Sequence, residues 1–309
     1  MSSFTVDLNT IKTFPNLHPK SFQQPLDATS TSSLSSVPLL PSLLSWLHSN
    51  SVEQLMRQHH LRNTLRIDHS NGGVIYEAFE HAAAVLDVKQ MPEVFIQNSP
   101  IFNAFAMGTE NYSIVLTSAI VDALSPDEIL AVVGHELGHI KCEHMLYKTV
   151  CHLLSIVGLD LLKQLIPGVG SAASLAIGYA MANWSRKAEL SCDREALLAT
   201  QDVNIVTNLT LLLASGTKKV LPELSLESAL KQQEDLNEIE NTLLGKLMII
   251  QELEMSHPIP IVRCSEINAW SKTQDYRDLL NGKYIRGKEI TPNANGPIAK
   301  LCIKKNAIV

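Results

Sequence analysis

The sequence predicts an α+β fold that is mostly helical and has one small sheet. Runs of β-branched and aromatic residues separated by turn residues are confined to residues 92–121, which predicts two or three short strands there. Most of the remaining chain has apolar residues at helical spacing, and a clear helix start stands at Ser125. Helices are expected over residues 37–61, 73–88, 149–184, 185–201, 221–254 and 256–270.

The composition is that of a globular chain with a sizeable core. The 309 residues are 45% hydrophobic and 18% charged, with a net charge of −6 and 5% aromatic residues. The acidic balance and the scarcity of aromatic side chains argue against nucleic acid as a partner.

The cysteines and the N-terminus indicate a cytoplasmic protein that is not secreted. The five cysteines are odd in number and form no CxxC pair, so we expect reduced thiols. The first twenty residues lack a basic start followed by an apolar run, which is what a secretory signal requires.

Three regions are expected along the chain. Residues 1–36 are rich in Ser, Thr and Pro and are interpreted as an N-terminal extension, partly disordered or lying over the domain. Residues 37–282 are expected to form the domain, and residues 283–309 form a tail without an assigned role. Charged residues and a proline interrupt the apolar stretch 149–184, which favours a buried helical hairpin over one in peripheral contact with a membrane.

The helix that begins after Ser125 has a well-defined start. Ser125 is a good N-cap, Pro126 suits the first helical position, and Glu128 completes a capping box. This helix is expected to continue to at least Met145.

The same helix carries an HExxH motif. His135 and His139 are four residues apart and lie on one helical face, so both imidazoles can reach one metal ion. Glu136 lies beside them, where it can act as a general base for zinc-dependent hydrolysis. The flanking Gly134 and Gly138 permit close packing against another helix.

The third ligand is less clear from this stretch. One known class of zinc site has the longer motif HExxHxxGxxH, which would need glycine at position 142 and histidine at position 145. This sequence has Cys142 and Met145 there. His144 is expected to point elsewhere, because five residues past His139 is another side of the helix. Cys142 stays open as an alternative ligand.

A second helix offers a better candidate. Glu189 and Asp193 are four residues apart and share one helical face. Glu189 can supply an oxygen ligand, and Asp193 can hold the free ring nitrogen of a histidine ligand.

Together these motifs resemble the HtpX-like zinc metallopeptidases, the gluzincin group that also includes the CAAX prenyl proteases. The resemblance spans about residues 90 to 270. Within the family, the chain most resembles the soluble bacterial-type members. It is carried by four segments in order: NAFAMG (103–108), VVGHELGHI (132–140), SRKAELSCDREAL (185–197) and SHPIPIVR (256–263).

The resemblance implies a gluzincin fold, with a small sheet beside the HExxH helix, and endopeptidase activity. It implies one Zn²⁺ ion on His135, His139 and Glu189, with Glu136 as the base that assists attack by zinc-bound water. Asp193 matches the carboxylate that supports a ligand.

Two further segments are given roles by the resemblance. His257 is expected to donate a hydrogen bond to the developing oxyanion, and Arg263 to order the acidic groups of the site. The edge strand of the sheet is expected to bind a protein or peptide substrate through Asn103, Ala104, Phe105 and Ala106.

The function predicted is therefore zinc-dependent peptide-bond hydrolysis, with a role in protein quality control. One alternative is a non-catalytic or latent metal-binding scaffold whose hairpin touches a membrane. Another is a zymogen-like enzyme whose N-terminal extension lies in the cleft.

Overall fold

The structure is a computed structural model that describes residues 3–49, 52–165, 170–219, 226–240 and 257–287, with four single residues between 241 and 250. It is mostly helical and has one small mixed sheet, which confirms the predicted α+β class.

The sheet has four strands in the order β1-β2-β4-β3. Strands β2 (Glu93–Gln97), β3 (Ala104–Met107) and β4 (Ser113–Thr117) form from the segment predicted to contain strands. Strand β1 (Leu65–Ile67) was not predicted, because three residues are too short for a recognisable alternation. The β2 and β4 pair is parallel, and the other two pairs are antiparallel. As the last strand in this order, β3 lies at one edge of the sheet.

The helices surround this sheet and carry the site. Two short 3₁₀ turns, Pro19–Ser21 and Leu34–Ser36, flank the first helix. The α-helices are α1 (Pro25–Ser33), α2 (Leu40–Ser49), α3 (Val52–Asn63), α4 (Gly73–Leu86), α5 (Ser118–Ala123), α6 (Pro126–Lys141), α7 (Met145–Leu165), α8 (Ser171–Thr200), α9 (Val203–Ser215), α10 (Leu226–Glu240), α11 (Pro260–Ser271) and α12 (Gln274–Leu280).

Helices α6 and α8 form the closely packed centre of the molecule. The capping box on Ser125 is present at the start of α6, as predicted. A Cβ atom on Gly134 would lie 2.7 Å from the Cβ of Ala199, and one on Gly138 would lie 3.0 Å from the Cα of Cys192. The two glycines therefore allow the close helix contact that the sequence indicated.

Helix α6 ends earlier than the sequence predicted. Cys142 is its C-cap, and Glu143 follows with a left-handed φ of 59°. The amide of His144 donates to the carbonyl of His139 (2.9 Å) and that of Glu143 to the carbonyl of Ile140 (3.2 Å), which is a Schellman ending. Glycine usually takes the left-handed position, so Glu143 gave no signal of the break.

The apolar stretch forms parts of α7 and α8, whose connection lies outside the described residues. Their described apolar side chains pack together, among them Val150, Leu154, Ile177 and Met181. Each described helix is too short or too polar to cross a membrane.

The segment 3–36 packs on the helices of the domain. Phe14, Leu17 and Phe22 are buried in the main core with α4 and α6. The amide of Phe14 also donates to the carbonyl of Val85 (2.8 Å). The region boundaries at residues 36 and 282 stay predictions.

Candidate metal centre

Three buried side chains from α6 and α8 converge on one point. The Nε2 atom of His135 lies 3.2 Å from Oε2 of Glu189, and the Nε2 atom of His139 lies 3.3 Å from Oε1. Both Nε2 atoms are buried and have no hydrogen-bond partner within the described part of the chain. Two imidazole nitrogens without hydrogen bonds therefore face one carboxylate.

The carboxylate of Glu189 is surrounded by nitrogen atoms. Besides the two histidines, it contacts Nδ1 of His257 at 2.8 Å, Nη1 of Arg263 at 3.0 Å and Nζ of Lys148 at 3.2 Å. Burial opposes ionisation of Glu189, but Lys148, His257, His135 and Arg263 outweigh it and hold its pKa well below the ordinary value. The carboxylate is thus kept in the charged form that a metal requires.

A second carboxylate fixes His135 from behind. Nδ1 of His135 lies 3.0 Å from Oδ1 of Asp193, which leaves Nε2 free to face Glu189. Arg263 in turn donates to both oxygens of Asp193, from Nε at 2.8 Å and from Nη2 at 2.6 Å. The α8 and α11 residues named by the resemblance are therefore in contact with the HExxH helix.

Glu136 lies beside His135 and His257. It is 1% exposed, and its Oε2 has no hydrogen-bond partner in the described structure. Nε2 of His257 is 3.5 Å from Oε1 of Glu136 and donates to the carbonyl oxygen of Ala104 at 2.6 Å. His257 therefore links strand β3 to Glu189, with both ring nitrogens engaged.

The two candidate thiols lie behind the histidines. Sγ of Cys192 is 3.2 Å from Nδ1 of His139, on the side of the ring away from Glu189. Cys142 groups with Asp27 and His144, with ligand atoms within 4.8 Å of one another. Ligand atoms of His135, His139 and Cys192 also lie within 4.8 Å of one another, but Cys192 contacts Nδ1 of His139, whereas Glu189 contacts the Nε2 atoms of both histidines.

The electrostatic surroundings of the two histidines shift their pKa values in opposite directions. Burial lowers the pKa of His135, but Glu189 and Asp193 raise it to about 9. For His139, burial and the charge of Lys148 act together and hold the pKa well below its ordinary value.

The sequence of the domain also matches a known peptidase family. Residues 70–271, about two thirds of the chain, match the profile of peptidase family M48. The chain belongs to peptidase family M48.

Relatives of this M48 peptidase differ in how much of the chain they share. The plastoglobule-localized metallopeptidase 48 of Arabidopsis thaliana, a chloroplastic protein, is 27% identical over 270 residues, which are 86% of this chain and 77% of the relative. A protease HtpX homolog of Pediococcus pentosaceus is 32% identical over 108 residues, 34% of this chain and 35% of the relative. A protease HtpX homolog of Helicobacter pylori is 48% identical over 52 residues, 16% of this chain.

Family membership makes this chain a metalloprotease with the zincin-like fold of M48 peptidases, in which proteolysis depends on a metal that is typically zinc. The donor set fits that metal, because two imidazole nitrogens and a carboxylate are ligands of open catalytic zinc sites. The buried Nε2 atoms without hydrogen bonds are what such a site requires.

Sequence reasoning missed three residues of this M48 site. His144 was expected to point elsewhere, yet it is fully buried and its Nδ1 lies 3.2 Å from Nδ1 of His139. Lys148 was not singled out, and Asp27 was not given a role at the site. Asp27 belongs to the predicted extension, and the end of α6 that redirects His144 leaves no mark in the sequence.

Proposed function

We propose that this chain is a zinc-dependent endopeptidase in which His135, His139 and Glu189 hold one zinc ion. The observation that carries the proposal is the pair of unpartnered Nε2 atoms facing one ionised carboxylate, with the Glu136 carboxylate beside them. Bound zinc would supply Lewis acidity, polarising the scissile carbonyl and lowering the pKa of water at the site.

Glu136 is proposed as the general base. Its unpartnered Oε2 can accept a proton from the attacking water, and the same oxygen can then deliver that proton to the leaving amine. Burial of the side chain excludes bulk water from this transfer. The position of Glu136 beside His135, on the side nearest His257, suits an attack at a carbonyl held in the cleft.

His257 is proposed as the donor to the developing oxyanion. Its Nε2–H already donates to a carbonyl oxygen, that of Ala104. A substrate carbonyl can replace Ala104 as the acceptor, and it would then lie beside Glu136, because Nε2 of His257 is 3.5 Å from Oε1 of Glu136. Arg263 keeps Asp193 and Glu189 in place during the reaction.

Strand β3 is proposed as the binding edge for an extended peptide. The carbonyl of Asn103 accepts from the amide of Thr117 in β4, so the backbone groups of Ala104 and Ala106 face away from β4. These outward groups can pair with a substrate strand, while Asn103 and Phe105 hold the edge to the sheet. An apolar recess beside Glu136 is lined by Ile120, Val132, Leu209 and Leu213 and favours an apolar substrate side chain.

The experiment compares casein cleavage by the wild type and by Glu136→Gln, with zinc content measured in both. The variant is expected to keep its zinc and lose about 10²–10⁴-fold in rate, because only the base is removed. Glu143→Gln, which changes an exposed glutamate of the same segment, should cleave at the wild-type rate. Cleavage by Glu136→Gln at the normal rate would contradict the proposal, and a zinc-bound wild type that cleaves no unfolded protein would favour the scaffold alternative.

A role in protein quality control and peripheral membrane contact through residues 149–184 stay predictions that rest on the resemblance and on composition.

A further inference from the structure

A chain of hydrogen bonds leads from the back of His139 to the N-terminal segment. Nδ1 of His139 lies 3.2 Å from Nδ1 of His144, and Nε2 of His144 lies 3.0 Å from Oδ2 of Asp27. All three side chains have no solvent exposure. The Schellman ending of α6 makes this contact, because it turns His144 back beneath His139.

Donor and acceptor rules fix the direction of these bonds. A neutral imidazole has one N–H, and as a zinc ligand His139 would use the lone pair of Nε2, the nitrogen beside Glu189, so its hydrogen would be on Nδ1. Nδ1 of His144 must then accept it, which places the hydrogen of His144 on Nε2, where it donates to Asp27. The thiol of Cys192, also 3.2 Å from His139, is a weaker acceptor than an imidazole nitrogen.

The Asp27 carboxylate is held in place by several donors. Ser191 donates to its Oδ2 at 2.6 Å, Gln23 to the same oxygen at 2.9 Å, and Thr31 to Oδ1 at 3.1 Å. Burial opposes ionisation of Asp27, but the bonds from His144, Ser191 and Gln23 keep its pKa below the ordinary value. A fully bonded carboxylate of this kind is a fixed acceptor and is not an empty metal site.

Helix α1 is also anchored by hydrogen bonds that do not include Asp27 itself. The amide of Gln24 donates to Ser191 (3.0 Å), Nη1 of Arg194 donates to the carbonyl of Phe22 (2.9 Å), and the indole of Trp184 donates to Thr31 (2.8 Å). These contacts join α1 to α8, the helix that carries Glu189. Removal of the Asp27 charge should therefore leave α1 in place.

We propose that Asp27 is a positioning residue of the metal centre, acting through His144 to fix the tautomer and ring orientation of His139. His135 has the equivalent support directly from Asp193. Asp27 lies outside the family-matched residues 70–271, so the N-terminal segment completes the site in this chain. The inference rests on the proposed function, because it assigns a role toward the ligand His139.

The test measures zinc affinity by competition with a chelator in Asp27→Asn, His144→Phe and the double variant of the full chain. Each single variant should bind zinc roughly 10- to 100-fold more weakly than the wild type. The double variant should match His144→Phe within about two-fold, because Asp27 acts only through His144. The visible spectrum of the Co²⁺-loaded protein should change in each variant.

Asp127→Asn is the matched control. Asp127 is also buried and also binds the N-terminal segment, through the backbone amides of Thr5 and Val6, but it lies in the first turn of α6. The zinc affinity of Asp127→Asn should equal that of the wild type. If His144→Phe does not fold, as judged by thermal unfolding without metal, His144→Gln retains a donor and an acceptor and should bind zinc with intermediate affinity.

Several outcomes would overturn the inference. Wild-type zinc affinity in folded Asp27→Asn would do so, as would additive losses in the double variant. Two zinc ions per wild-type chain would show that Asp27, Cys142 and His144 bind metal themselves. If the inference about Asp27 fails but the wild type binds zinc and Glu189→Gln does not, the proposed function still holds. A wild type without zinc affinity would contradict both the inference and the proposed function.

Discussion

Arg263 donates two parallel hydrogen bonds to Asp193, from Nε to Oδ2 at 2.8 Å and from Nη2 to Oδ1 at 2.6 Å. Its remaining nitrogen lies 3.0 Å from Glu189. One buried guanidinium therefore contacts both the proposed ligand carboxylate and the carboxylate that holds His135. Such a planar, two-pronged contact is one that lysine cannot reproduce.

Removal of this guanidinium is predicted to be strongly destabilising. Arg263→Met leaves two buried carboxylates with less compensation, and we expect a loss of about 3–5 kcal/mol of unfolding free energy. The measurement is chemical denaturation. Arg57→Met, which removes an arginine paired with Glu93 at the surface, should cost less than about 1 kcal/mol. Equal effects of the two substitutions would show that the Arg263 pairs are not buried as described.

The close approach of α6 and α8 is predicted to depend on Gly138. In Gly138→Ala the new Cβ would lie 2.5 Å from Oε2 of Glu195 and 3.0 Å from the Cα of Cys192. We expect a loss of about 1–3 kcal/mol from overpacking, and weaker zinc binding because the two helices carry the ligands. Gly170→Ala, where a Cβ meets open space, should be nearly neutral in the same thermal and metal-binding measurements.

Glu195 is predicted to make stability fall with rising pH. It is fully buried, neither carboxylate oxygen has a hydrogen-bond partner in the described structure, and burial raises its pKa from 4.5 to about 8. A folded-state pKa above the unfolded value means that the stability present below pH 4.5 is lost progressively as the pH rises to about 8.

Glu195→Gln should therefore melt at a higher temperature than the wild type at about pH 8.5, which is above the folded-state pKa of Glu195. Near pH 5 the difference should largely disappear. A variant that is equally or less stable than the wild type at the higher pH would show that the carboxylate has a partner in solution.

His257 is predicted to affect catalysis more than metal binding. His257→Ala removes the proposed oxyanion donor, and we expect kcat to fall about 10²–10³-fold. Zinc content should persist, because His135, His139 and Glu189 remain. Steady-state kinetics on a quenched peptide, alongside metal analysis, separates the two effects. An unchanged kcat would assign His257 to structure alone, as the link between Ala104 and Glu189.

Much of this arrangement follows from local sequence rules. The capping box at Ser125, the shared helical face of His135 and His139, and the close-packing role of Gly134 and Gly138 all follow from helix geometry, and the structure has each of them. The spacing of Glu189 and Asp193 likewise places both on one side of α8. These are short-range relationships that a single helix determines.

The remaining features depend on contacts between distant segments. A non-glycine left-handed residue, Glu143, ends α6, so helix periodicity did not predict the contact between His144 and His139. Asp27 reaches the site from 117 positions away in sequence. Lys148 joins Glu189 only because α7 packs on α8. Periodicity within one element cannot reveal such contacts.

The most direct test of the account is the zinc content of Glu189→Gln and Cys142→Ser, measured by plasma mass spectrometry after removal of loosely bound metal. If Glu189 is the third ligand, we expect one zinc ion per chain in the wild type and in Cys142→Ser, and loss of that ion in Glu189→Gln. Full zinc occupancy in Glu189→Gln, with loss in Cys142→Ser, would contradict it.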